Sequence, residues 1–404
     1  MSARATSFDW AAARADLAIP LDGQHNIGWH CADRVCLLGK AQHPALIWQD
    51  FHGDERTFTF DQLRTGSNTM AALLARLGVQ PGDRVALIMD RVPECYVAFL
   101  AVLKLGAIVQ PLFSAFGDDA LRVRLDDAHT AVVITQRKYL LKMRRVASAV
   151  ASLRHTIITD AVATDALRSS EMAFAALTAP QVDAFAAYAA TPATPSVLHY
   201  TSGTTGAPKG VLHLHHSLLS QYLTTKLVLD LRADDVYWCT ADPGWVTGTS
   251  YGIIGPWSMG VTQCVLDCGF SARAWYAFIA RHRVSVWYTA PTAIRSLMSA
   301  GDDLPHAFDL TCLRHLASVG EPLNAEAVLW GQRVLGLPFH DTYWQTETPA
   351  QSWSPTCPPT PLNQARWAPR CRGWTPSSWI SQRTSRRPRQ RRSGCLPSAP
   401  DGRP

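Results

Sequence analysis

Apolar and polar residues alternate through Thr57-Phe58-Thr59-Phe60, the period of a strand with one buried face. Met70, Leu73, Leu74 and Leu77 then recur at helical spacing behind Asp61, a residue suited to an N-cap. The pattern predicts a helix from Asp61 through Leu77, ended by Gly78. Gln80-Pro81-Gly82-Asp83 predicts a turn and Arg84–Met89 a buried strand. A helix over Glu94–Leu105, a strand over Ala107–Pro111, a helix over Ala120–Ala128 and a strand over Ala131–Thr135 follow. Strands alternating with helices predict an α/β fold in which parallel sheets are covered on both faces.

From Ala161 to Pro195 the chain becomes rich in Ala and Thr and predicts a surface connection. The alternation resumes near Val197, with strands expected at Ser196–Thr201, Val211–His213, Val236–Cys239, Val261–Leu266, Val284–Thr289 and His315–Val319. We therefore expect an N-terminal extension (1–25), two parallel-sheet subdomains (about 26–195 and 196–348) and a tail (349–404).

Composition narrows the class. Hydrophobic residues make up 47% of the 404 and charged residues 17%, which excludes a globally disordered chain. The most apolar stretch, Val92–Phe113, is interrupted by Glu94, Lys104, Gly106 and Pro111, so no membrane span is expected. The first twenty residues lack a compact apolar segment, so we expect no signal peptide and a cytoplasmic location. The ten cysteines form no CxxC pair and are expected as free thiols in a reducing compartment. Net charge divides the chain: residues 349–404 hold ten Arg and one acid, giving +9, against −3 for residues 1–348.

The densest chemical signal is Tyr200-Thr201-Ser202-Gly203-Thr204-Thr205-Gly206-Ala207-Pro208-Lys209-Gly210, directly after an expected strand. Glycines admit a ligand close to the backbone, successive amides form an anion nest, hydroxyls donate to phosphate oxygens, and Lys209 adds a point charge. The spacing differs from a Walker A loop, since Gly203 and Gly206 are three apart and neither Ser nor Thr follows Lys209. His213-Leu214-His215-His216 has no acidic or Cys partner nearby and is expected as a strand end rather than a metal site. Asp234-Asp235 and Asp302-Asp303 are expected as solvated turn carboxylates.

At the Tyr200–Gly210 loop the sequence resembles the AMP-forming adenylate synthetases, the superfamily of acyl-CoA synthetases, luciferases and peptide-synthetase adenylation domains. Ala317-Ser318-Val319-Gly320-Glu321-Pro322-Leu323 and Asp341-Thr342-Tyr343-Trp344-Gln345-Thr346-Glu347-Thr348 match further motifs in the expected order. The resemblance covers roughly Asn26 to Thr348. Ala241-Asp242-Pro243-Gly244-Trp245-Val246-Thr247-Gly248-Thr249-Ser250-Tyr251-Gly252 is most similar to the acyl-pocket segment of the acetyl-CoA synthetase (acetate–CoA ligase) subfamily. The resemblance implies the two parallel-sheet subdomains of the large N-terminal domain of that fold.

It also implies roles. Thr201, Ser202, Gly203, Thr204, Thr205, Gly206 and Lys209 would bind the ATP polyphosphate. Gly320, Glu321 and Pro322 would lie along the adenine. Asp341, Thr342, Tyr343, Trp344, Gln345 and Thr346 would line the nucleotide, and Glu347 would bind Mg²⁺. Lys209 and Thr346 are the expected catalytic residues. Trp245, Val246, Thr247, Val319 and Trp344 would wall the acyl pocket. ATP, Mg²⁺ and CoA are the implied small molecules, and acetate the implied acid, since an indole at position 344 leaves room for few carbons. A ligase for another short or medium-chain acid is the alternative within this chemistry.

After Thr348 these motifs stop, and the tail is expected to be disordered: Arg, Pro, Ser, Trp and Cys follow without periodicity. The ribose-binding Tyr-x-Thr-Gly-Asp segment and the C-terminal lid with its adenylation lysine are not recognisable, so little overall turnover is expected. The tail reads as translation in a shifted frame. Codons beginning at the third printed base turn Trp367-Ala368 into Gly, and Ala365–Ala368 can become Gly-Ser-Met-Gly, a stretch these synthetases carry. The competing reading is a non-catalytic ATP-binding fold with a nucleic-acid-binding tail, because Arg383–Arg392 holds six Arg in ten residues. We expect nucleic acid not to be a partner, since such charge runs are usually solvated.

Overall fold

The computed structural model describes residues 9–19, 25–202 and 206–348. They form two seven-stranded sheets. The strands are β1 (Pro44–Asp50), β2 (Glu55–Thr59), β3 (Arg84–Ile88), β4 (Ile108–Pro111), β5 (Thr130–Thr135), β6 (His155–Ile158) and β7 (Glu171–Ala173). They continue as β8 (Pro195–Thr201), β9 (Lys209–Leu214), β10 (Val236–Cys239), β11 (Thr262–Asp267), β12 (Val286–Thr289), β13 (His315–Ser318) and β14 (Phe339–Asp341). The first sheet has the order β14-β13-β12-β10-β11-β1-β2 and the second β7-β6-β5-β3-β4-β8-β9. Every neighbouring pair is parallel except the edge hairpins β1–β2 and β8–β9.

One core joins the sheets. Its buried residues include Leu46, Trp48 and Val265 from the first sheet and Val85, Val109, Val132 and Ile157 from the second. Between them lies the helix Pro93–Lys104, whose residues from Cys95 to Lys104 are all buried. That explains its nearly continuous apolar sequence, since a helix covered on every side needs no polar face. Lys104 is the exception: its ammonium meets Asp33 at 2.6 Å and Asn68 Oδ1 at 2.7 Å, which compensates its burial.

Several expectations change. The strands do not divide at 195/196: β1 and β2 join the sheet built mainly from residues after 235, while β8 and β9 extend the sheet built from residues 84–173. The partners Leu46 and Gln263 are far apart in sequence, a pairing that local periodicity cannot reveal. The Phe60–Arg76 helix is capped by Thr59 rather than Asp61; the Thr59 hydroxyl accepts from the Gln62 amide while the Gln62 side chain accepts from the Thr59 amide. Asp61 sits in the first turn, paired to Arg64 at 2.7 Å. The expected surface connection contains β7. Asp235 is no solvated carboxylate: it is buried, accepts from Ser285 Oγ at 2.7 Å and from the Arg232 amide at 2.7 Å, and pairs with Arg314. The arginine and these donors hold its pKa below the ordinary carboxylate value despite the burial. The seven cysteines among the described residues are free thiols. No helix among the described residues is long and apolar enough to cross a membrane. The expectations for the tail lie outside the described residues.

Candidate active site

The site begins at carboxyl ends of parallel strands, where backbone amides and diverging loops leave room for a ligand. In the first sheet the hydrogen-bond ladder continues past the strand ends. The Thr240 amide donates to the Tyr288 carbonyl (3.0 Å), Val319 to Thr289 (3.1 Å) and Thr342 to Ser318 (2.9 Å). The Thr342 hydroxyl bridges the Ser318 carbonyl and the Tyr288 hydroxyl, 2.8 Å from each. This fixes the start of the Thr342–Thr348 segment beside the segment leaving β13.

Gly320 has φ of 101°, a backbone angle that favours glycine. Gly320, Glu321 and Pro322 are exposed. Glu321 is held by the Thr292 hydroxyl and by Arg295 at 2.6 Å, and these partners keep its carboxyl below the ordinary range. Asp341 accepts from the Leu323 amide at 3.2 Å through Oδ2, while its Oδ1 is buried with no hydrogen-bond partner among the described residues. Burial raises its pKa. Tyr343, Gln345 and Glu347 are exposed, and the Gln345 amide nitrogen donates to the Tyr343 hydroxyl at 3.0 Å.

Trp344 is partly buried, its ring edge-on to Tyr251 at 5.0 Å and 90°. Val319, Tyr251, Tyr288 and Ala317 belong to the same apolar cluster. Val246 and Thr247 open a short helix, Val246–Thr249, that follows the Gly244-Trp245 turn. A Cβ at Gly248 would overlap the Asp242 carbonyl, so this tight approach requires glycine. Trp245 stands apart from the Trp344 cluster. It is 61% exposed and packs against Phe113 at 5.0 Å.

The loop is carried by the β8–β9 hairpin, whose register pairs Thr201 with Lys209 and Tyr200 with Gly210. Ser202, Gly206 and Lys209 are exposed at its tip. Gly203, Thr204 and Thr205 lie outside the described residues. The Tyr200 hydroxyl donates to Asp127 at 2.6 Å; burial, with that carboxylate, pushes its pKa up and keeps it a donor. Deeper in the hairpin, His199 and His213 lie edge to face, 5.4 Å apart. His213 Nε2 is 2.7 Å from the Thr346 carbonyl oxygen, and His199 Nε2 is 2.9 Å from Thr249 Oγ1. Burial lowers both imidazole pKa values.

A model of the AMP-binding enzyme family matches residues 36–374. The chain belongs to this family. The match runs past Thr348, further than the motifs alone indicated, into residues outside those described here. Acetyl-coenzyme A synthetase of Bacillus subtilis is 41% identical over 354 residues, covering 85% of this chain and 59% of that protein. The enzyme of the same name from Deinococcus radiodurans is 38% identical over 360 residues, covering 84% of this chain and 55% of that protein. Among solved structures, an acyl-CoA synthetase of Brucella canis superposes with a TM-score of 0.80 at 32% identity, covering 88% of this chain and 64% of that one. The chain thus spans between 55% and 64% of the length of these relatives.

For this member of the AMP-binding family, the structure gathers Val319, Trp344 and the Asp341–Glu347 segment around β13 and β14, and links the hairpin to them through His213. Sequence reading missed the contacts of His199, His213 and Tyr251. The signal for His199 was available: it shares a strand face with the apolar Val197, where a polar side chain requires a partner.

Proposed function

We propose that this chain is the adenylating part of an acetate–CoA ligase of the AMP-forming kind. The observation that carries the reading is the Trp344 ring, set against Tyr251 on the segment that also bears Asp341, Thr346 and Glu347. The family membership and the acetyl-coenzyme A synthetase relatives support it. An acetate oxygen attacks the α-phosphorus of ATP; the bond to the bridging oxygen breaks, and its electrons leave with pyrophosphate. The product, acetyl-AMP, is a mixed anhydride. The CoA thiolate then attacks the acetyl carbonyl carbon and AMP leaves.

The chain's own residues position and neutralise rather than bond. Lys209 and the hydroxyl-rich loop receive the polyphosphate, Thr346 lies toward the α-phosphate, and Gly320-Glu321-Pro322 with Asp341 flank the adenine. The buried Oδ1 of Asp341 suits an exocyclic amino group. Among the described residues no group of three or more His, Cys, Asp or Glu could hold a metal. The exposed Glu347 is one hard oxygen donor, which fits Mg²⁺, an ion usually held by one or two carboxylates together with phosphate oxygens and water. When bound, Mg²⁺ would offset polyphosphate charge. Val319, Trp344, Val246 and Thr247 bound the acid's alkyl end, and each added methylene is resisted by about 1–3 kcal/mol. A reaction drawing on ATP and CoA accords with a cytoplasmic location.

The test is exchange of labelled pyrophosphate into ATP with acetate, propionate or butyrate. In a frame-restored protein, exchange that requires acid and falls from acetate to butyrate is the expected result, with far less exchange from the chain as it stands. Exchange that favours butyrate would reassign the acid.

A further inference from the structure

We propose that His199 and His213 are positioning residues: from adjacent places on the β8–β9 hairpin, one holds the acyl-pocket helix and the other the nucleotide segment in register with the phosphate-type loop. The inference rests on the adenylating reading above.

A carbonyl oxygen only accepts, so His213 Nε2 carries the proton that it donates to Thr346 O across 2.7 Å. Thr346 is the residue expected beside the α-phosphate, and this bond is made by its backbone. The other imidazole faces the opposite segment. The Thr249 hydroxyl donates to the Val246 carbonyl at 3.0 Å, which leaves its oxygen to accept from His199 Nε2 at 2.9 Å. Thr249 ends the short helix that begins at Val246. Both imidazoles are buried, and each rests edge to face on the other at 5.4 Å and 62°. The strands bearing them are paired in register, with Val197 opposite His213 and His199 opposite Val211. The hairpin that ends in Thr201 and Lys209 therefore reaches two other segments through these imidazole bonds. A buried donor removed here leaves an acceptor unpaired, so an apolar replacement should loosen the segment it held. The two histidines should act on different ligand groups: His213 on the nucleotide, His199 on the acyl end.

The experiment measures binding of ATP with Mg²⁺, and of a hydrolysis-resistant acetyl-adenylate mimic, to the full chain by calorimetry at a temperature well below unfolding. His213→Leu should weaken ATP about tenfold, whereas His213→Gln, which can present a donor at similar reach, should restore most of the affinity. His199→Leu should weaken the acetyl-adenylate mimic about tenfold more than it weakens AMP. If a Leu variant does not fold, Thr249→Val carries the His199 arm, and a His213→Gln affinity compared with His213→Asn, whose shorter side chain falls short of the carbonyl, carries the other. Leu variants that melt earlier yet bind both ligands as the parent does would overturn the inference alone, as would equal loss in the Gln and Leu variants. A parent chain that binds neither ligand overturns the adenylating reading and the inference with it.

Discussion

Each sheet ends in an antiparallel hairpin, and the two hairpins differ in the residues that make their turns. In β1–β2 the chain closes on itself: Asp50 Oδ1 accepts from the amides of His52 (2.8 Å) and Asp54 (2.9 Å). The Gly53 amide donates to the Asp50 backbone carbonyl (3.3 Å), so this turn satisfies these three amides from Asp50 alone. The segment joining β8 to β9 contains no acid, but hydroxyls, glycines and then Lys209. The side chains below differ in the same sense. Arg56 on β2 lies over Trp48 and, through Glu94 at 3.1 Å, ties the hairpin to the Pro93–Lys104 helix of the core. His199 and His213 reach from β8–β9 to two other segments of the candidate site. Hairpins at equivalent topological positions thus carry different side chains: one turn is closed by its own carboxylate, while the other holds no acid, which suits the anion proposed for it.

The comparison breaks most visibly at Lys209. In a frame-restored protein, Lys209→Ala should lower acetate-dependent pyrophosphate exchange by about 10²–10³, the usual effect of deleting one preorganised charge contact. Asp50→Ala on the other hairpin should leave the exchange rate unchanged. At the proposed acyl pocket, Trp344→Gly in a frame-restored protein should shift the ratio of kcat/KM for butyrate over acetate upward by about 10–100-fold. An unchanged ratio would remove the indole from the pocket, leaving Tyr251 as the wall.

Acid should stress the second hairpin first. His215 follows β9, and its Nδ1 accepts from the Ile27 amide at 3.0 Å. Burial holds its pKa down to about 3, from an ordinary value of 6.5. The unfolded chain therefore takes up this proton before the folded one. The stability from the neutral ring is complete above pH 6.5 and is lost progressively as pH falls from 6.5 toward 3. His215→Asn keeps an acceptor and removes the titration. Urea unfolding at pH 7.5 and pH 5 should show a smaller loss of stability in this variant, by up to about 1.4 kcal/mol per pH unit. The smallest effect belongs to the first hairpin's exit. Thr59→Ala removes a helix cap and should cost about 1 kcal/mol in urea unfolding with no change in ATP affinity.

Much of this was legible in the sequence, for identifiable reasons. β3, β5, β10 and β13 lie within sheets and read as apolar runs of ordinary length. β1 starts with Pro and ends in Gln49-Asp50, while β7 and β14 are three residues each, too short for periodicity to register. Sheet membership was hidden because β1 pairs with β11, hundreds of residues later, a contact no local pattern carries. Asp234-Asp235 looked like a turn because charge alone does not reveal Arg314 arriving from β12–β13. At the site the motif residues were readable, but the bonds from His199 and His213 were not, since lone histidines name no partner.

The most direct measurement of the central claim is calorimetric binding of acetyl-adenylate and butyryl-adenylate mimics to the chain and to Trp344→Gly. The account predicts that the parent binds the acetyl mimic more tightly than the butyryl one, and that the order reverses in the variant. Failure to bind either mimic, or equal affinity for both in each protein, would contradict it.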